Sequence, residues 1–340
     1  MTNRFLNYHK CTFMKFDAIK SFCKLSPVYP KETKQGIGRR LQILYALLYT
    51  IPAILYRRTT AFFEKKKYKY NLGIVAIAKN EKEYISEWCA FHKAAGFDII
   101  YLFDNESDDG TAEALTPYID SGFVKYHHIK GRAKQIEAYN YALKSYCNEC
   151  KYIAFVDCDE FLFIQPTAHV SLKDKIESFF KEHKNAGGLA LNWCMYGSNG
   201  LTQKPEGLCI ENFVKRALVG KAGTLCIKTI LSSQKAKCFC SPHYPIYKTG
   251  YAGYDQEGKI VETWYNPITH YSDIRLNHYF CKSKEQWIRR RSLGAATLLD
   301  TNIKRTLTDF IAHDNNDITD TDILYYLDKT KKILNSAYNN

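Results

Sequence analysis

Two carboxylates, Asp157 and Asp159, stand two residues apart in the run Asp157-Cys158-Asp159-Glu160, directly after the apolar stretch 153–156. At the end of a strand, such a pair can hold a hard divalent cation, Mg²⁺ or Mn²⁺, whose open positions take phosphate oxygens. This is one way to bind a diphosphate. An acidic run after a strand can also be a plain turn, so the surroundings must decide. Glu81, Asp104 and Asp108 also fall at, or just past, the ends of predicted strands, and an α/β sheet would gather them with Asp157 along one edge. Four acidic groups there repel one another unless a cation, a base or sugar hydroxyls occupy the cleft. Lys79, Arg132 and Lys134 lie in the corresponding loops and could offset phosphate charge, although each alone reads as solvated surface.

The elements that must position these groups are legible from 72 onward. An apolar run, 72–78, ends at Lys79-Asn80-Glu81 and passes into a helical stretch through Trp88, Phe91 and Ala95 to Gly96. A second strand, 99–103, ends at Asp104-Asn105, and Ser107-Asp108-Asp109-Gly110-Thr111 supplies turn chemistry and a helix N-cap. A third strand is predicted at 124–128, a helix at 132–146 and a fourth strand at 152–156. Strands alternating with helices predict an α/β fold: a mostly parallel, Rossmann-like sheet flanked by helices, with ligands at the carboxyl ends of its strands. Beyond Phe163 the pattern weakens to strands near 188–193, 225–231 and 276–280, a helix from Lys282 to Leu293 and a final helix over 322–336. The acidic stretch 314–322 lacks the central Gly of a calcium loop and reads as a solvated loop before that helix.

Composition bounds the rest. With 340 residues, 46% hydrophobic and 24% charged, the chain has globular proportions, which excludes a disordered or fibrous protein. Its net charge of +13 favours an anionic partner. The 12 cysteines are spread too thinly for a disulfide scaffold and are expected to be reduced thiols in a cytoplasmic protein. The Cys147–Cys150 and Cys238–Cys240 pairs lack the second close Cys/His pair of a zinc site. Residues 1–69 form a basic N-terminal segment in which 41–56 carry no charge between Arg39-Arg40 and Arg57-Arg58. That run is too short to cross a bilayer and contains Pro52. A helix lying on an anionic membrane surface, here the cytoplasmic face of the inner membrane, and a helix packed on the main domain both fit it.

The run IVAIAKNEKEYISEWCAFHKAAGFDIIYLFDNESDDGT, followed by Gln135 and then AFVDCDEFLF, resembles the family 92 and family 2-like glycosyltransferases of GT-A fold, including bacterial members that assemble lipopolysaccharide glycans. The similarity is close over about 72–165. Asn192-Trp193, Tyr196-Gly197-Ser198, Lys228 and Asn277-His278-Tyr279 with Lys282-Ser283 extend it. The resemblance implies an inverting, metal-dependent transferase that moves a hexose from a nucleotide diphosphate sugar, UDP-linked by analogy, to a hydroxyl of a glycan or lipid-linked glycan acceptor. In its terms Lys79, Glu81, Asp104, Asp108, Gln135 and Asp157 would bind the nucleotide sugar, and Asp157, Asp159 and His278 would hold Mn²⁺ or Mg²⁺. Glu211 is the favoured catalytic base over Glu206, Asp255 and Asp273, and Trp193 and Tyr196 could stack on a sugar. The catalytic domain is expected at 70–295, with a helical extension at 296–340.

Two other classes compete. A haloacid dehalogenase-type phosphatase also uses a strand followed by two aspartates, but it usually carries Thr or Val where this chain has Phe161. A membrane-peripheral binding protein would use the acidic run only structurally. No P-loop accompanies the acidic pair, and no RNP-like or KH-type signature indicates nucleic acid.

Overall fold

The apolar runs of the first half become the centre of a ten-stranded sheet in the computed structural model, which describes residues 67–269, 271–291 and 306–338. The elements begin with β1 (Tyr70–Ala78), α1 (Lys82–Ala95), β2 (Ile99–Asp104), α2 (Thr111–Asp120), β3 (Val124–His128), α3 (Gln135–Tyr146), β4 (Cys150–Phe155) and β5 (Glu160–Ile164). After them come α4 (Leu172–Glu182), β6 (Ala186–Met195), α5 (Cys209–Asn212), β7 (Ile227–Ser232), β8 (Ala236–Phe239), β9 (Pro245–Tyr247), β10 (Ala252–Tyr254), β11 (Ile260–Val261) and β12 (Ile274–His278). The last helices are α6 (Lys284–Arg291), α7 (Leu307–His313) and α8 (Leu327–Tyr338).

The sheet runs β11-β10-β6-β7-β4-β1-β2-β3. Strands β3, β2, β1 and β4 are mutually parallel, and β7 lies antiparallel between β4 and β6. The expected α/β class, with a mostly parallel sheet flanked by helices, is borne out. Strand β12 adds a corner: it runs parallel to β6 and antiparallel to β5. Strand β5, which begins one residue after Asp159, is absent from the sequence reading although Phe161-Leu162-Phe163-Ile164 is apolar throughout. The Asp157-Cys158-Asp159 run is thus a connector clamped between two strands, not the start of a surface loop.

Alternation along β1 shows why the runs are continuously apolar. Leu72, Ile74 and Ala76 face the core beneath α1, while Val75 and Ile77 face the core beneath α3. A strand covered on both faces has no polar side, and each fully buried aliphatic contributes about 1.5–3 kcal/mol. Helix α1 stops at Gly96, whose φ of +100° is the left-handed conformation that ends helices, with its cap N–H bonded to the His92 and Lys93 carbonyls.

The C-terminal segments are built into this core. Arg275 on β12 is 3% exposed and donates to Asp320 at 2.7 Å, and Arg216 donates to the same carboxylate oxygen at 2.6 Å. Ser198 bonds Asp314 through its backbone N–H at 2.6 Å and its hydroxyl at 2.9 Å. Gly197 makes that approach possible, since a Cβ there would sit 2.6 Å from the Asn315 carbonyl oxygen. The stretch 314–322 is therefore not a solvated loop: its carboxylates are spent on buried cations and backbone N–H groups. Tyr326 bonds the Ile164 carbonyl, and Lys329 on α8 bonds the Ala94 carbonyl at the end of α1. The 41–56 run lies outside the described residues. Among the described residues no helix is long and apolar enough to cross a membrane.

Asp320→Ala would leave the buried Arg275 guanidinium short of its main counter-charge, and losing one partner of such a pair costs about 3–5 kcal/mol. Urea unfolding should show that loss, and a change under about 1 kcal/mol would reject a central role for the Arg216–Asp320–Arg275 network.

Candidate active site

Because β1, β2 and β4 are parallel, their carboxyl ends lie on one edge, and the polar loops that follow them meet there. The centre of that edge is the β4–β5 connector. One oxygen of Asp157 accepts from Gln135 at 2.7 Å, at the first turn of α3, and lies 2.9 Å from the Lys228 ammonium on β7. Lys228 is almost wholly buried and also lies 3.7 Å from Glu160. Burial alone would pull its pKa down, but the Asp157 and Glu160 carboxylates outweigh that and hold the ammonium charged. Asp157 correspondingly stays below the ordinary carboxylate range: burial pushes it up, and Lys228 more than offsets the push. Glu160, more deeply buried, is driven well above the ordinary range by burial.

Asp159 is buried and has its own partners. The Arg290 guanidinium on α6 donates to it at 2.7 Å, and His278 Nε2 at the end of β12 lies 3.4 Å away. Against the opposing effect of burial, Arg290 and then His278 hold its pKa well below the ordinary value. The same guanidinium reaches Glu81 at 3.1 Å. Two clusters therefore lie side by side on the connector: Lys228 joins Asp157, with its partner Gln135, to Glu160, and Arg290 joins Glu81 to Asp159, with its partner His278. Trp193 lies over His278 with ring centroids 4.3 Å apart, and His243 packs on the other side of Trp193 at 5.1 Å. His243 bonds the Ile227 carbonyl, and burial followed by Lys228 lowers its pKa to about 4, so it is a neutral wall of the cleft. The buried His278 Nδ1 and Trp193 Nε1 have no hydrogen-bond partner among the described residues.

The other expected residues fall into a second group at the ends of β1 and β2. Lys79 donates to the Asn105 and Glu106 carbonyls at 2.9 and 3.0 Å. Asn80, in left-handed conformation, exchanges two hydrogen bonds with Asp108. Asp104 accepts from the Ser107 N–H and from the Tyr126 hydroxyl at 2.6 Å. These contacts fix two loops against each other and shape the wall beside these clusters. Tyr196 is fully buried, with its ring 4.9 Å from Tyr279, so it is core and cannot stack on a sugar.

The base candidates lie elsewhere. Glu211 pairs with Lys331 on α8 at 2.8 Å, and that bond lowers its pKa, the opposite of what a base needs. Asp255 accepts the Glu257 and Lys259 N–H groups in a turn, and Asp273 pairs with Lys175. Glu206 is exposed. A carboxylate the sequence analysis did not single out, Glu87, supports this region from α1: it accepts the Cys209 and Ile210 N–H groups at 2.7 and 3.0 Å, and burial raises its pKa to about 7.

Mn²⁺ or Mg²⁺ at Asp157, Asp159 and His278 does not fit this placement. Among the described residues no three His, Cys, Asp or Glu side chains converge as a metal site, because the two aspartates face Lys228, Gln135 and Arg290. Arg290 and His243 are residues that sequence reasoning missed. Neither sits at a signature spacing from the acidic run, and only the folding of α6 and of the β8–β9 hairpin brings them in.

The fold and site are thus those of an α/β protein with a mostly parallel sheet whose carboxyl edge carries two aspartates paired with basic side chains. The chain belongs to glycosyltransferase family 92, whose sequence profile matches residues 75–313. A family 92 protein of Ricinus communis is 24% identical over 137 residues, which is 40% of this chain and 24% of that one. A family 92 protein of Arabidopsis thaliana is 24% identical over 149 residues, 42% of this chain and 26% of the relative. The chain thus aligns with about a quarter of the length of these curated relatives. Among solved structures, S. aureus TarS 1–349 in complex with UDP is similar at 18% identity over 48% of this chain and 47% of that chain, with a TM-score of 0.33.

The raised pKa of Glu87 gives a pH test. The folded state holds this proton more tightly than the unfolded chain, so its contribution to stability is full below about pH 4.5 and is lost as pH rises through about 7. Urea midpoints of the wild type and Glu87→Gln should therefore diverge with pH: the variant loses less stability between pH ~5 and pH ~8, and parallel curves would contradict the assignment.

Proposed function

We propose that the protein is an inverting glycosyltransferase that moves a hexose from a nucleotide diphosphate sugar, with UDP as the favoured nucleotide, to a hydroxyl of a glycan acceptor. The observation that carries the reading is the strand-end pair Asp157 and Asp159, set between Lys228 and Arg290 at the carboxyl edge of the sheet in a family 92 chain. The unpartnered His278 Nδ1 and Trp193 Nε1 beside that pair are polar atoms that a bound sugar or phosphate would satisfy. A phosphatase or a scaffold does not account for the family membership.

In the reaction the acceptor oxygen forms a bond to the anomeric carbon as the bond from that carbon to the diphosphate oxygen breaks. The electron pair leaves with the nucleoside diphosphate, and the acceptor proton passes to a base. The site's own contribution is electrostatic: fixed cations beside the departing diphosphate stabilise charge that grows in the transition state. Lys228 and Gln135 hold Asp157 in one orientation, and Arg290 and His278 hold Asp159. The loops locked by Asp104, Lys79 and Asp108 form the side on which the nucleoside is proposed to rest. Residues 1–69 and the acceptor, with lipopolysaccharide as the class implied by the sequence resemblance, belong to the same proposal.

Asp159→Asn keeps volume and removes the charge that orients Arg290 and His278. Release of UDP from UDP-hexoses, followed with a near-UV spectrum to confirm folding, should fall by roughly 10²-fold or more. A folded variant that turns over at the wild-type rate would reject the site.

A further inference from the structure

The carboxylates at the sheet edge are occupied by cations from distant parts of the chain, and one of those cations also faces solvent. The start of α6 is firmly held: Lys284 and Glu285 donate backbone N–H groups to the Leu201 and Thr202 carbonyls at 3.1 and 2.9 Å. Gln286 donates to Glu83 at 2.6 Å and to the Tyr84 hydroxyl, and its backbone N–H bonds the Ser283 hydroxyl at 3.3 Å. Trp287 is buried against Phe280, with centroids 5.1 Å apart, and against Phe310. Arg290 lies four residues after Gln286, so it projects from the same face of the helix, over the carboxyl edge.

There its guanidinium spans the β1–α1 loop and the β4–β5 connector through Glu81 and Asp159. A guanidinium has five N–H donors in a rigid plane, and two carboxylate bonds do not exhaust them. The side chain is 29% exposed, whereas Lys228, paired with Asp157 and Glu160, is 1% exposed. Lys282, in left-handed conformation with its ammonium 3.7 Å from the Tyr84 ring centroid, adds a second cation that acts on Asp159. The site is thus already close to charge balance: Lys228 answers Asp157, and Arg290 with Lys282 answers Asp159 and Glu81. A diphosphate entering this balanced edge needs a cation presented outward, and Arg290 has that geometry.

We propose that Arg290 is the diphosphate-binding residue of this site: Glu81 and Asp159 hold its guanidinium across the sheet edge, and its outer edge takes the phosphate oxygens, so that the protein itself supplies the charge met by the leaving group. This rests on the transferase reading above. It assigns Glu81 and Asp159 the work of holding a guanidinium in place, which agrees with a donor set that, among the described residues, does not converge on a metal ion.

The test is calorimetric titration of the full chain with UDP and with uridine, in EDTA and in Mn²⁺, using wild type, Arg290→Ala and Arg290→Lys. Wild type should bind UDP in EDTA. Arg290→Ala should lose roughly tenfold or more in UDP affinity while uridine changes by less than about twofold, because only the charge-assisted phosphate bonds are removed. Arg290→Lys keeps the charge without the fork and should fall between them. If Arg290→Ala does not fold, the ratio of UDP to uridine affinity in Arg290→Lys decides. UDP binding by wild type only in Mn²⁺, unchanged UDP affinity in the variants, or equal loss of UDP and uridine would each overturn the assignment. A folded wild type that binds neither ligand in either buffer would instead defeat the transferase reading, and Arg290's role with it.

Discussion

Charge compensation at the carboxyl edge of the sheet is the constraint on which the rest of the arrangement depends. Asp157 and Asp159 sit two residues apart in a connector closed between β4 and β5, Glu160 opens β5 directly after them, and Glu81 reaches the same edge from the loop after β1. Carboxylates so close to one another and so little hydrated repel unless cations are fixed among them. The chain delivers those cations from far away: Lys228 from an antiparallel strand inserted beside β4, and Arg290 from a helix more than a hundred residues later. Strand β7, inserted antiparallel between β4 and β6, places the Lys228 ammonium 2.9 Å from Asp157.

The same logic extends to the C-terminal part of the chain. Strand β12 carries two polar residues with separate duties: His278 at its end meets Asp159, and Arg275, three residues earlier, meets Asp320 in the segment that leads to α8. One short strand thus couples the position of the C-terminal segment to the position of a site group. Helix α8 packs on α1, Lys331 on it takes the Glu211 carboxylate, and Glu87 on α1 caps the turn that contains Glu211. The turn that contains Glu211 is consequently held from two directions, and Glu211 in it is an ion-pair partner.

The runs 72–78, 99–103 and 152–156 matched β1, β2 and β4 to within a few residues, because a strand buried on both faces must be apolar throughout, whereas β3 at 124–128 is a partly exposed edge strand with a mixed sequence. With strand-helix alternation and loop carboxylates, this was enough to predict an α/β sheet with a polar carboxyl edge that gathers Glu81, Asp104, Asp108 and Asp157, while Gln135 and His278 entered the site only through the family resemblance. What the sequence by itself determined was the local order and the residue types at the strand ends. Which groups neutralise which was decided only by the tertiary structure, since electrostatic pairing depends on distance in space. Hence Lys228, His243 and Arg290 are invisible as partners along the chain, and Asp320 reads as solvated until Arg275 and Arg216 close on it. Glu211 lies in the expected segment, yet the fold pairs it with Lys331. A spacing shows that a carboxylate is present, and only the fold decides whether it meets a metal ion, a proton or a guanidinium.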